Sequence, residues 1–376
     1  NDHQPRRHVV GKAVPGLDFN TSAIQTAESL TARRLEKEIE ADTGSDAGIG
    51  KTPSARFPEH NRLPYGVYLE WQAMGEQPVS DVLAKAARSE GLSFEHIGLT
   101  LGTVIQGVDL SEPLSETLIN CIRQILLERK VIFFRDQPLT EDQLVQFAER
   151  FGELDVFPFG RLGHNPKVIE ISHDEARPGS ENGWHTDVTW MEAPSLGSIA
   201  QALIVPPIGG DTLFADSHAA FRGLPETLQE TLLPLSGVHD YRYFLSGLDP
   251  IQDAALIEEI KTRIPFGVSH PLVRQHPETG KPALYIHGGF LRHESLFNRD
   301  TREPMGEAAS QALSKLLLTQ HARPELMCRF AWQPGSIAFW DNRAVQHYAA
   351  SDYYPHARSI RRVTVSGDVP MSWAPS

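Results

Sequence analysis

From Gly98 onward the chain is a succession of short apolar segments bounded by glycine, proline or polar residues. This spacing constrains the fold most, because apolar runs of about four to eight residues bury as strands while helices need longer periodic stretches. Strands are expected over residues 98–105, 131–134, 168–172, 197–203, 212–215, 283–287, 336–340 and 361–366. The run Val131-Ile132-Phe133-Phe134 reads as a buried strand from its β-branched and aromatic content. Helices interrupt the strands. Leu118, Cys121, Ile122, Ile125 and Leu126 recur at the spacing of one helical face, which makes Cys121 a core residue. A second helix is expected over 139–152, with Thr140 as its N-cap and Gly152 as its stop. Further helices are expected at 225–233, 254–263 and 305–320. Many short strands with helices at the front and in one long insertion describe a β-sandwich decorated with helices. No glycine-rich phosphate loop follows a strand, which disfavours a doubly wound nucleotide-binding fold.

Composition narrows the partners. The 376 residues are 40% hydrophobic and 22% charged, as in a globular chain, and the net charge of −13 argues against nucleic acid or an anionic membrane. No run of 18 apolar residues suggests a membrane span. Cys121 and Cys328 are the two cysteines, with no C-x-x-C pair, so a disulfide scaffold or thiolate metal site is not expected and a cytoplasmic location is. Residues 1–92 read as an N-terminal arm packing on or near the active site. Its stretch 41–50 is small and polar, prolines recur at Pro53, Pro58 and Pro64, and a short charged helix is expected around 32–41. Residues 93–376 form the body, with a helical insertion at about 220–325.

Two histidines stand apart from the other fourteen by context. In Trp184-His185-Thr186-Asp187, residues two apart on a strand share a face, so His185 and Asp187 project together. Alone this is a weak signal, since 16 histidines and 48 acidic residues produce such pairs by chance as surface ion pairs. His347 lies just beyond the apolar segment 336–340. Two histidines and one carboxylate on one side of a metal leave the opposite positions open, the donor set of non-haem Fe(II) oxygenases, without excluding Zn(II). Arg358 and Arg362, four apart at the start of the last apolar segment, offer guanidinium forks suited to a carboxylate or sulfonate.

Several segments, taken in order, resemble one family. They are Trp184-His185-Thr186-Asp187-Val188-Thr189, Gly209-Gly210-Asp211-Thr212-Leu213, Trp340-Asp341-Asn342-Arg343, Gln346-His347-Tyr348-Ala349, and Arg362-Val363-Thr364 with Gly367-Asp368. Gly107-Val108-Asp109-Leu110 and Phe151-Gly152-Glu153-Leu154 also fit. From about Gly98 to Pro370 the chain resembles the Fe(II)- and 2-oxoglutarate-dependent dioxygenases of the taurine dioxygenase and alkylsulfatase (TauD/TfdA-like) type. That resemblance implies a mainly β fold with flanking helices around a double-stranded β-helix (jelly roll, cupin-like) core. It implies that His185, Asp187 and His347 ligate Fe(II), that Arg358 and Thr212 hold 2-oxoglutarate, and that O2 is the oxidant. Arg362 would face the substrate's anionic group, with Asn182 at the pocket wall and Val188 beside it. Where the taurine enzyme contacts its sulfonate through a histidine and a tyrosine, this chain has Phe157 and Gly160. The pocket is therefore expected to be roomier and more apolar than one built for taurine.

The expected reaction is oxidation of an aliphatic C–H bond of a small anion such as an alkyl sulfate or sulfonate, releasing succinate and CO2. An alternative is a biosynthetic oxidase that hydroxylates, desaturates or cyclises an aliphatic amino acid, with Arg362 on the α-carboxylate. More remote are a zinc hydrolase, which would leave Arg358 and Thr212 without a role, and a non-catalytic jelly-roll binding module, which would retain no metal. Association into a homo-oligomer is an expectation of the resemblance only, since no interface is legible in the sequence.

Overall fold

The computed structural model describes residues 65–375 apart from 157–160, 163–164, 246–247 and 264–266. Its largest sheet has eight strands in the order β1 (Ser93–His96), β2 (Thr103–Gln106), β3 (Val131–Phe134), β14 (Ile337–Asp341), β6 (Gly197–Ile204), β16 (Arg358–Val365), β5 (Val168–His173) and β4 (Arg161–Leu162). A three-stranded sheet, β13 (Met327–Phe330), β7 (Thr212–Asp216) and β15 (Val345–Ala349), faces it. The two sheets make the jelly-roll core. Two smaller sheets complete the strand set: β12 (Phe297–Asn298), β8 (Leu235–His239) and β9 (Val268–Pro271), then β10 (Val273–Gln275) with β11 (Pro282–Leu284).

The apolar runs are continuous because the large sheet is covered on both sides. Ile132, Phe134, Ile199, Ile337, Phe339 and Val363 point toward the helices α2 (Asp81–Ser89), α3 (Glu116–Arg129) and α4 (Glu141–Glu149). The alternating residues Val131, Phe133, Ala200, Ala338 and Trp340 point the other way, onto Phe214, Phe330 and Val345 of the three-stranded sheet. Phe133 stacks on Phe330 with ring centroids 4.0 Å apart. A one-residue slip in β3 or β14 would exchange the two cores, so burial on both faces pins the register.

The expected front helices form where their caps permit. Ser115 accepts from the Leu118 amide to start α3, and its buried face is Ile119, Cys121, Ile122, Ile125 and Leu126. Thr140 and Gln143 close a capping box at α4, which ends at Glu149 with Arg150 as its C-cap, two residues before the expected glycine stop. Residues 65–90, read as part of the N-terminal arm, hold α2 and, before it, α1 (Tyr65–Glu76). Trp71 is 1% exposed in a core with Phe221, Leu272 and Leu317, while Leu83 and Ala87 join the α3 core.

Two strand expectations were too long. Residues 98–101 bend instead of extending, because the carbonyls of Gly98, Leu101 and Gly102 all turn inward onto the buried Arg129 guanidinium at 2.7–3.2 Å. Segment 283–287 leaves its strand after Leu284. The region after α5 (Ser217–Arg222) carries α6 (Glu226–Leu232), α7 (Arg242–Leu245), α8 (Ala254–Arg263) and α9 (Glu307–His321), and also β8 to β12; β11 falls in an expected strand, whereas the short, partly polar sequences of β8, β9, β10 and β12 lack a strand signal. Among the described residues no helix is long and apolar enough to cross a membrane.

Candidate active site

The segment holding His185 runs beside β15. His185 donates its amide to the His347 carbonyl at 3.0 Å, and His347 returns the bond at 2.8 Å. This bridge sets the two imidazoles side by side, with ring centroids 4.0 Å apart. Asp187 reaches the same spot by a different route from the expected strand alternation. After the single bridge at His185 the chain turns, and Val188 takes a left-handed φ of 49°. Asn342, in the turn between β14 and β15, latches that turn. Its Oδ1 accepts from the Asp187 amide at 2.9 Å, and its Nδ2 donates to the Asp187 carbonyl at 3.0 Å. Distant parts of the chain thus converge: one ligand-capable atom each from His185, Asp187 and His347 lies within 4.8 Å of the others.

The protonation states suit a metal. His185 Nδ1 lies 2.9 Å from the Gly183 carbonyl, which can only accept, so that nitrogen carries a proton and Nε2, 3.9 Å from Asp187 Oδ1, is the ligand-capable atom. Burial, then the neighbouring His185, pushes His347 down to about 3, so this ring is neutral. Burial opposes ionisation of Asp187, but Arg362, His347 and His185 outweigh it and hold the carboxyl at about 2. Arg362 Nη1 sits 3.2 Å from both Asp187 oxygens. Two imidazole nitrogens and one carboxylate, preformed and mostly buried, fit a divalent ion with part of its coordination sphere left free.

Arg358 and Arg362 both lie on β16, where a spacing of four returns side chains to one face. Arg358 is buried, donates through Nε to the Gly210 carbonyl at 3.1 Å, and lies 5.9 Å from the ring centroids of Trp332 and Tyr353. Thr212, at the start of β7, accepts from Trp332 Nε1 at 2.9 Å, so Trp332 links Thr212 to Arg358. Gly210 has φ +73, and a Cβ there would lie 3.1 Å from Arg358 Cδ, so glycine keeps this approach open.

The remaining expected residues fall as follows. Asn182 is exposed, and its Oδ1 accepts from the Ser351 amide at 2.8 Å. Val188 is buried in an apolar cluster with Trp190, Tyr241 and Ile260, against which Phe290 and Leu245 pack. Phe157 and Gly160 lie outside the described residues. Sequence reasoning missed Trp332, which carries no chemical signature of its own. It also missed His287, whose ring centroid is 5.8 Å from that of His185. The pair Gly288-Gly289 after it was the available sign of a turn where a strand was expected.

A jelly roll with this trio between its sheets has the architecture of a non-haem metal oxygenase. The model of the family described as taurine catabolism dioxygenase TauD, TfdA family matches residues 93–364, and the chain belongs to that family of dioxygenases. It is 36% identical over 293 residues to an alpha-ketoglutarate-dependent sulfate ester dioxygenase of Pseudomonas putida, covering 77% of this chain and 94% of the relative. It is 35% identical over 273 residues to an alkylsulfatase of Acinetobacter baylyi, covering 72% and 83% respectively. Among solved structures, a taurine dioxygenase from Burkholderia xenovorans superposes with a TM-score of 0.61 at 35% identity, covering 75% of this chain and 93% of the other. The hydrolase and binding-module alternatives fall with this membership.

Proposed function

We propose that this chain oxidises an aliphatic C–H bond of an alkyl sulfate or alkyl sulfonate with Fe(II), 2-oxoglutarate and O2, releasing succinate and CO2. His185, Asp187 and His347 would hold the iron, which when bound supplies the oxygen activation that no side chain can. The chain's own residues bind, orient and exclude water. Arg358 has committed Nε to Gly210, which leaves its Nη fork for the distal carboxylate of 2-oxoglutarate beside Thr212. Arg362 would meet the substrate's anionic head. Its Nη1 is shared with Asp187, but its Nε is buried without a partner among the described residues, and a sulfate oxygen would satisfy it. The apolar cluster around Val188 and Trp190 would receive the alkyl chain, with Asn182 bordering the pocket while bracing the Ser351 loop.

The observation that carries this reading is the pairing of the trio with two guanidiniums on one face of β16. One anion site serves a keto acid, and the other serves the compound being oxidised. Sulfate-directed relatives at 35–36% identity favour a sulfate ester over an amino acid. The test is succinate release with Fe(II) and 2-oxoglutarate across alkyl sulfates, alkyl sulfonates and aliphatic amino acids. Succinate matched by aldehyde formed from an alkyl sulfate is the expected result, whereas turnover of amino acids alone overturns the sulfate assignment.

A further inference from the structure

The turn after β11 carries a histidine that none of these roles uses. His287 is 2% exposed, and its Nδ1 accepts two backbone amides, from Gly289 at 2.7 Å and from Phe290 at 2.8 Å. A backbone N–H can only donate, so Nδ1 bears no proton and the ring proton must sit on Nε2. Chain geometry alone imposes this tautomer. The Nε2–H is buried and has no acceptor among the described residues.

Capping the turn does not explain a histidine here. An asparagine Oδ1 would accept the same two amides, as in ordinary Asx turns. What histidine adds is a donor on the side of the ring turned away from the turn. That ring lies beside a ligand imidazole and an apolar wall: 5.8 Å from His185 and 4.4 Å from Phe290 between centroids. The backbone is also held. Gly288 donates to the Trp184 carbonyl at 3.2 Å, next to His185, and His293 Nε2 lies 3.1 Å from the His287 carbonyl as its donor. A rigid, buried donor with no acceptor among the described residues, beside the candidate site, is costly unless a ligand completes it.

We infer that His287 is a specificity-determining residue whose Nε2–H donates a hydrogen bond to an anionic oxygen of the substrate, complementing Arg362 from another element of the fold. The inference rests on the alkyl sulfate or sulfonate reading above. A sulfate head offers three terminal oxygens, more than one guanidinium nitrogen can engage. A neutral donor also orients the head without adding positive charge next to two imidazoles that must bind a cation.

The test uses the full chain loaded with Zn(II) and saturated with 2-oxoglutarate, which binds substrate without redox turnover. Hexyl sulfate is titrated by calorimetry. His287→Asn keeps the turn acceptor and deletes the donor. Its Kd for hexyl sulfate should rise roughly tenfold to a hundredfold, while Zn(II) and 2-oxoglutarate affinities stay within about twofold. In wild-type protein labelled with 15N-histidine, the His287 Nε2–H resonance should move downfield when hexyl sulfate is added, a readout that needs no variant. An unchanged Kd in His287→Asn, or a resonance indifferent to the ligand, overturns the inference. Hexanoate separates it from the sulfate reading. If wild type refuses hexyl sulfate but binds hexanoate, the sulfate reading fails; an equal loss toward hexanoate in His287→Asn then sustains the donor, and no loss overturns it. Wild type that binds neither anion overturns both.

Discussion

Replacing Arg358 by glutamine should convert the chain from one that requires 2-oxoglutarate to one that barely distinguishes keto acids. Arg358 is 5% exposed between Trp332 and Tyr353, and its Nε is already spent on Gly210. In the proposed role the two Nη groups would form a pair of charge-assisted hydrogen bonds to the distal carboxylate, each worth about 1.5–3 kcal/mol in a buried setting. Glutamine is too short and too neutral to replace either. KM for 2-oxoglutarate should therefore rise by roughly a hundredfold or more, at about 1.4 kcal/mol per decade. Arg358→Lys keeps the charge without the fork and should lose roughly tenfold. The Gly210 carbonyl also loses its donor, a stability cost of about 1 kcal/mol that a urea titration would register as minor. The assay is succinate or CO2 release at saturating hexyl sulfate, with pyruvate, which lacks the distal carboxylate, as competing co-substrate. Wild type should prefer 2-oxoglutarate strongly, and Arg358→Gln should not. A folded Arg358→Gln whose KM for 2-oxoglutarate stays within about threefold of wild type, with its preference over pyruvate intact, would refute the assignment.

Other consequences are as direct. His185→Ala and Asp187→Ala should abolish the weak visible absorption band expected when Fe(II) and 2-oxoglutarate are added without oxygen, and a spectrum unchanged in either variant excludes that residue as a ligand. Asp341 is fully buried and accepts from Arg343 Nε and Nη2 at 2.8–2.9 Å and from His276 Nε2 at 2.9 Å. Asp341→Asn should cost about 3–5 kcal/mol, read by urea unfolding, because it leaves the Arg343 cation buried and incompletely paired. Stability should also fall steeply in mild acid. Burial pushes His218, His270 and His321 down to about 4 each, while unfolded histidine titrates near 6.5. Between those values these three sites alone bind three more protons in the unfolded chain than in the folded one, so stability rises with pH and is lost as pH falls from 6.5 toward 4, by about 4 kcal/mol per unit from them. Urea midpoints that stay flat from pH 7 to 5 would contradict buried neutral histidines.

Much of the architecture was legible because local periodicity reports which side of an element is buried. The α3 face, the Thr140 cap and the doubly buried strands β3 and β14 follow from residue pattern alone. The segment 98–101 misled because its apolar residues look like strand while its carbonyls are gathered by Arg129, some 30 positions away. The strands β8, β9, β10 and β12 were invisible for the opposite reason: their residues are ordinary, and neighbours elsewhere in the chain supply their partners.

By its own pattern, the chain determines a sandwich of short strands, the residue types of a two-histidine, one-carboxylate centre, and two arginines four residues apart near the last strand. Side-chain chemistry and periodicity act over a few residues, and both are written in the order of the letters. Folding in three dimensions decided the rest. It set His185 beside His347 through a backbone bridge and swung Asp187 in through a turn latched by Asn342. It also left the His287 proton on the nitrogen facing away from its own turn. The His287 tautomer is set by amides of its own turn, formed where a strand was expected. The convergence of the trio depends on which distant backbone groups meet, and that is chosen by the packing of the two sheets, with no local trace in the residues concerned.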